Sequence, residues 1–189
     1  MTMAAPLHYT ADMVRHLNDL HDWRWPRYET VHGELLVTPV APRPWHEVVA
    51  RRLLVAITNY IERDDLPLKT FGSRSEVSWG DADISVQPDL VVVPNEEVRT
   101  LDWNDLWHLL LAAEVLSLSS VRADRMVKRR LYQEQGVPLY WIVDPDAHTV
   151  EVWTPDAREA RIEREMLAWH PAGAAAPFAL ALETLCRPV

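Results

Sequence analysis

Residues 85–93 read Ser85-Val86-Gln87-Pro88-Asp89-Leu90-Val91-Val92-Val93, and residues 109–117 read Leu109-Leu110-Leu111-Ala112-Ala113-Glu114-Val115-Leu116-Ser117. Both are short apolar runs of the kind that forms strands covered on both faces. Each carries one acid where such a strand should hold none. Because strand side chains alternate between faces, Gln87, Asp89, Val91 and Val93 share one side of the first run, and Leu110, Ala112, Glu114 and Leu116 share one side of the second. Burying an ionised carboxylate without a partner costs several kcal/mol, or the group takes up a proton. Two such acids close together invite a cation. On pattern alone a structural reading also stands, with Asp89 as a strand-end cap after Pro88 and Glu114 paired to a lysine.

The following segment supplies that lysine. Residues 120–135 predict a helix ended by Gly136. On a wheel of 100° per residue, Val121, Val127, Leu131 and Tyr132 cover an arc of roughly 140°, and Asp124, Lys128 and Gln135 fall inside it. Lys128 therefore leans toward the sheet. Arg122, Arg125 and Arg129 occupy the neighbouring flank and make the strongest local positive stripe of the chain, suited to a phosphate backbone. Pro138 opens the apolar run 139–143, the turn Asp144-Pro145-Asp146 stops it, and residues 149–153 alternate as a partner strand.

Upstream, residues 10–20 predict a short helix capped by Thr10, and Trp25-Pro26 closes that segment. Residues 28–38 predict a hairpin turning at Gly33. Over residues 45–63, Val49, Leu53, Ile57 and Ile61 recur every four positions as the stripe of an amphipathic helix, and His46 projects into that stripe. Residues 69–78 and 85–93 predict a strand pair joined by a turn at 79–83. Residues 172–176, between Pro171 and Pro177, read as a loop. The fold class is α/β, a mixed sheet with helices packed on both sides.

A length of 189 residues with 48% hydrophobic composition suits one domain, residues 1–189, with a core over about 10–155 and a C-terminal extension over 156–189. The single cysteine, Cys186, forms no internal disulfide and reads as inert. No run approaches the roughly 18 apolar residues of a membrane span, and residues 1–10 lack an export pattern, so a soluble cytoplasmic protein is expected. A net charge of −9 argues against coating nucleic acid by overall charge, so any DNA contact must be local. The nine tryptophans are scattered, as core and rim filler would be.

Two acids on adjacent strands and a half-buried lysine fit phosphodiester hydrolysis. Carboxylate oxygens suit Mg2+ or Mn2+, which polarises the phosphate, and an ammonium steers water or offsets developing charge. Glu34, beside Gly33 at the start of an apolar strand, is a candidate third acid. It also reads as a solvated hairpin residue, and a histidine such as His46 near a helix start is more often structural than catalytic.

The order Glu34, Pro88-Asp89, Glu114-Val115-Leu116, Lys128 resembles the PD-(D/E)xK nuclease superfamily. More closely, residues 28–36 (Tyr-Glu-Thr-Val-His-Gly-Glu-Leu-Leu), Gln87-Pro88-Asp89, Glu114-Val115-Leu116-Ser117 and Tyr140-Trp141-Ile142-Val143-Asp144-Pro145 resemble the Uma-type family of putative restriction endonucleases, over roughly residues 10–155. The resemblance implies a restriction-endonuclease-like core with Asp89 and Glu114 as metal ligands. It further implies a lysine migrated from strand to helix, which carries over onto Lys128, and it gives Glu34 as the acid of the first block. Gln87 and His46 match supporting positions. Two departures stand out: Ser117-Leu118-Ser119 replaces a Ser-Pro-Ser segment, and His32 replaces an acid before Gly33.

The function expected is that of a Mg2+- or Mn2+-dependent endodeoxyribonuclease, a hydrolase acting on DNA, with a homodimer as a mild expectation. Its rivals are a catalytically silent nucleic-acid- or protein-binding module with a nuclease fold, and a structural accessory protein whose buried acids form ion pairs.

Overall fold

The computed structural model describes residues 7–21, 25–40, 43–99 and 106–188. Trp23, Trp103 and the first six residues of the N-terminal stretch lie outside the described residues.

Helix α1 (Ala11–Leu20) begins where the cap was expected, the Thr10 hydroxyl accepting from Met13 N at 3.3 Å. Its buried Asn18 side chain donates to Tyr28 O and accepts from Tyr28 N, which fastens α1 to strand β1 (Arg27–Val31). Strand β2 (Glu34–Thr38) returns antiparallel to β1 through a two-residue turn, His32 at φ 50° and Gly33 at φ 79°. Two successive positive φ values make the turn whose twist suits a hairpin, and glycine takes the second without a steric penalty.

Helix α2 (Pro44–Arg63) buries Val49, Leu53 and Ile57, each stabilising by about 1.5–3 kcal/mol, against a six-stranded sheet. The sheet order is β3 (Leu68–Gly72), β4 (Leu90–Pro94), β5 (Leu111–Val115), β6 (Tyr140–Asp144), β7 (Thr149–Trp153) and β8 (Arg161–Glu163). All neighbours are antiparallel except β5 and β6, which run parallel and are joined by the long helical crossover that parallel pairing requires. Strand alternation splits the core. Leu90, Val92, Leu111, Ala113, Trp141 and Val143 face α2. Val91, Val93, Ala112, Tyr140 and Ile142 face the β1–β2 hairpin and the crossover helix.

Three sequence expectations change in detail. The strands expected over 69–78 and 85–93 pair only where β3 meets β4; between them the chain leaves the sheet, making single bridges from Val77 to Val86 and from Ser85 to Thr30 of β1. Pro88 has no N–H to donate to a ladder, so the strand cannot continue through it. Asp89 therefore stands just ahead of β4, not inside a strand. The helix expected over 120–135 is regular only in part: residues Ala123–Lys128 form a π-helical segment that runs into α3 (Arg129–Glu134), ended at Gly136 with φ 67°. Residues beyond 155, read only as an extension with a loop, contribute β8 to the sheet, a β9 (Met166–Trp169) and β10 (Phe178–Ala181) hairpin and helix α4 (Leu182–Leu185). Leu167, Phe178, Leu182 and Cys186 bury in the same apolar cluster as α2. Among the described residues, no helix is long and apolar enough to cross a membrane.

Candidate active site

The β4–β5 register pairs Leu90 with Ala113 and Val91 with Ala112, so one step further Asp89 and Glu114 occupy facing positions. Facing Cβ atoms in such a pair lie about 4.5–5.5 Å apart. Both acids turn to the hairpin side of the sheet and are buried, Asp89 at 6% and Glu114 at 2% exposure. Five more ionisable side chains close around them: Arg27 and Glu29 from β1, His46 from the first turn of α2, and Asp124 and Lys128 from the π-helical segment.

Lys128 is the hub. Its Nζ lies 2.8 Å from Glu29 Oε1, 2.8 Å from Glu114 Oε1 and 3.7 Å from Asp124 Oδ1. Glu29 Oε1 also accepts from Gln87 N at 2.6 Å. Asp89 Oδ2 accepts from Val115 N at 2.9 Å and pairs with His46 Nε2 at 3.0 Å. Asp124 stands apart. It is 1% exposed, and neither of its oxygens accepts a hydrogen bond among the described residues. The Ser120 hydroxyl, one turn earlier, directs its own hydrogen bond to Ser117 O at 3.4 Å.

The electrostatics sort these acids. Burial works against ionising Glu29, but Lys128, then Arg27, pull its carboxyl below the usual range. Burial likewise opposes Asp89, and the His46 contact, Arg27 and the Val115 N–H bring it below its ordinary value. His46 loses basicity to burial and regains more from Asp89, so it is raised. Glu114 is pushed well up, first by burial and then by Asp124, Asp89 and Glu29, against the opposing pull of Lys128. Asp124 is raised to about 6, mainly by burial, with the Lys128 charge tempering it. Lys128 is disfavoured by burial yet raised by Glu114, Glu29 and Asp124, so it stays protonated.

With all four acids ionised, only Arg27 and Lys128 offset them permanently, leaving two negative charges in a buried space. The cavity among these residues measures about 20 Å3, room for one water-sized species. Among the described residues no three His, Cys, Asp or Glu side chains are grouped as they stand to hold a metal ion, and Lys128 and His46 engage oxygens of Glu114 and Asp89. The donor chemistry nevertheless suits a hard divalent cation: carboxylate oxygens on several elements, with those of Asp124 accepting no hydrogen bond among the described residues.

Of the residues singled out in the sequence, Asp89, Glu114, Lys128, His46 and Gln87 are brought together. Glu34 is not. The hairpin register pairs Glu34 with Val31 at the turn end and sets Glu29 opposite Leu36 in the strand interior. Glu34 is thus half exposed and reaches Arg122 at 3.4 Å, while Glu29, one of the two acids of the hairpin, reaches the cluster. The alternation Arg27, Glu29, Val31, counted back from the His32-Gly33 turn, carried that signal. Asp124 was legible as facing the sheet, and only its lack of hydrogen bonds among the described residues marks it as a site residue. The arginine stripe divides: Arg122 is exposed, Arg125 binds Glu151 and Asp144, and Arg129 binds Gln133 and lies over the Trp153 ring.

A larger cleft of about 570 Å3 adjoins the cluster, sharing His46 and Ser117 with it and lined also by Arg43, Trp45, Leu118 and Asp144.

The model of the Uma2 family, described as "Putative restriction endonuclease", matches residues 15–182. No curated protein matches the chain. Among solved structures, the fold is similar to that of "a putative nuclease belonging to DUF820" from Anabaena variabilis, with a TM-score of 0.69 over 85% of this chain and 90% of that one, at 20% sequence identity. At that identity the likeness is one of fold, and it bears out the mixed sheet flanked by helices.

Proposed function

The chain belongs to the Uma2 family, and from that premise we propose that it is an endonuclease that hydrolyses phosphodiester bonds in DNA, with Asp89 and Glu114 holding Mg2+ or Mn2+. One observation carries the reading: two buried acids, Glu114 on β5 and Asp89 at the entry to the neighbouring β4, stand across from each other, with a lysine ammonium 2.8 Å from Glu114. A divalent cation, when bound, supplies Lewis acidity toward a phosphoryl oxygen and toward water.

The chain's own residues do the positioning. The His46 ring and the Val115 N–H fix the Asp89 carboxylate and keep it ionised. An ammonium has three donors; Glu29 and Glu114 engage two at 2.8 Å, which leaves one for a phosphate oxygen or the attacking water. Glu29 is a positioning residue, itself held by the Gln87 N–H. The cleft that shares His46 and Ser117 offers the substrate strand an approach, with Arg43 at its edge. Arg122 is the member of the arginine stripe best exposed to meet a phosphate, its side chain being 76% exposed. A two-fold dimer would address two strands at once, and a solution mass of twice 21.8 kDa would show it.

The test is nicking of supercoiled plasmid in Mg2+ or Mn2+ and in excess chelator, with wild type and Glu114→Gln. Nicking in metal alone, lost in the variant, supports the reading. The Lys128–Glu114 pair favours a second one, in which the ion pair is permanent and the domain only binds. Metal-independent DNA binding that survives Glu114→Gln without nicking would support that alternative.

A further inference from the structure

Four acids surround the cavity, and they differ in what already satisfies them. Asp89 has the Val115 N–H and the His46 ring, Glu29 has the Gln87 N–H and Lys128, and Glu114 has Lys128. Asp124 has the Lys128 ammonium no nearer than 3.7 Å, and neither of its oxygens accepts a hydrogen bond among the described residues, although it is as deeply buried as any of them. A buried carboxylate so weakly satisfied is costly to keep ionised, and native structures rarely leave one without a reason. Its own backbone shows one. Asp124 sits in the six-residue π-helical segment Ala123–Lys128. Such wide turns are uncommon and recur at functional sites. Both inward-pointing side chains of that segment, Asp124 and Lys128, line the cavity that Asp89 and Glu114 line.

We propose that Asp124 is a third carboxylate ligand of the divalent cation, completing a site with Asp89 and Glu114, while Glu29 serves to anchor Lys128 and not the metal. The proposal rests on the metal-dependent reading given above and adds to it a ligand from a different element. Three acids assigned to one divalent ion, and Glu29 assigned to Lys128, remove the charge imbalance among the acids, Arg27 and Lys128. The cavity of about 20 Å3 has room for a water-sized species.

The experiment is calorimetric titration of Mn2+ into the full-length metal-stripped protein, comparing wild type, Asp89→Ala and Asp124→Asn, with an unfolding midpoint recorded for each. The expected result is one Mn2+ per chain in wild type, no measurable binding for Asp89→Ala, and binding weakened by about tenfold or more for Asp124→Asn. Asp124→Asn protein that binds Mn2+ as wild type does, while Asp89→Ala does not, would overturn the assignment of Asp124 and leave the metal site standing. Wild type that binds no Mn2+ would overturn the metal reading itself and the assignment with it. Should Asp124→Asn fail to fold, Asp124→Ser is read against the same two outcomes.

Discussion

Replacing Lys128 by methionine keeps the length of the side chain and removes its charge. The ammonium is 2% exposed and touches Glu29 and Glu114 at 2.8 Å. Breaking a buried pair from one side costs about 3–5 kcal/mol, because the partner charge stays behind. That is a large share of the roughly 5–15 kcal/mol that holds a domain together. At this chain length it corresponds to a fall in Tm of about 6–20 °C. The cost should depend on pH with a defined sign. In wild type the Glu29 carboxyl lies below its ordinary value, so its contribution is present above that value and lost as the pH falls through the native one. In the variant the leading cause of that lowering is gone, burial dominates, and the native carboxyl rises above its unfolded value. Its contribution then reverses, and the variant gains stability as the pH falls. Urea unfolding of Lys128→Met at pH 8 and pH 5 reads both effects. A midpoint at pH 8 matching wild type, or a deficit that does not shrink at pH 5, would refute the ion-pair account.

Further outcomes follow from the same cluster. Asp124 is raised from 3.8 to about 6, so the native state binds its proton more tightly than the unfolded chain and stability declines as the pH rises between those values; Asp124→Asn should stabilise the metal-free protein at pH 8 by up to about 3 kcal/mol and give no gain at pH 3, as denaturant midpoints would reveal. His46→Ala should leave the fold in place and weaken Mn2+ binding by about 10–100-fold through loss of the contact that orients Asp89, with His46→Gln recovering part of it. Glu34→Ala should change stability by less than about 1 kcal/mol and leave nicking within about twofold, since its contact with Arg122 is solvent-exposed, whereas Glu29→Gln should impair nicking strongly.

The sequence carried the strands and the facing acids because both rest on short periods. Alternation alone put Asp89 with Val91 and Glu114 with Ala112 on the side where they lie, and a wheel turned Lys128 inward. What it did not carry depends on register and on departures from ideal geometry. Choosing Glu34 over Glu29 required knowing which residues pair across the hairpin, a fact set by the two-residue turn at His32-Gly33. The break between β3 and β4 follows from Pro88 and from the bridge of Ser85 to Thr30 of β1, a partner more than 50 residues away. The π-helical segment leaves no mark in the apolar pattern, since Val127, Leu131 and Tyr132 fit an ordinary helix as well. Arg125 and Arg129 looked available until β6 and β7 supplied Asp144, Glu151 and Trp153 beside them.

The central claim is that Asp89 and Glu114 hold the cation on which hydrolysis depends. The most direct measurement is single-turnover nicking of supercoiled plasmid by metal-stripped protein as Mn2+ is added, wild type against Asp89→Ala at matched folded concentration. The account predicts nicking that saturates with Mn2+ in wild type and is lost in the variant by about a hundredfold or more. Equal nicking by both proteins, or nicking by wild type without metal, would contradict it.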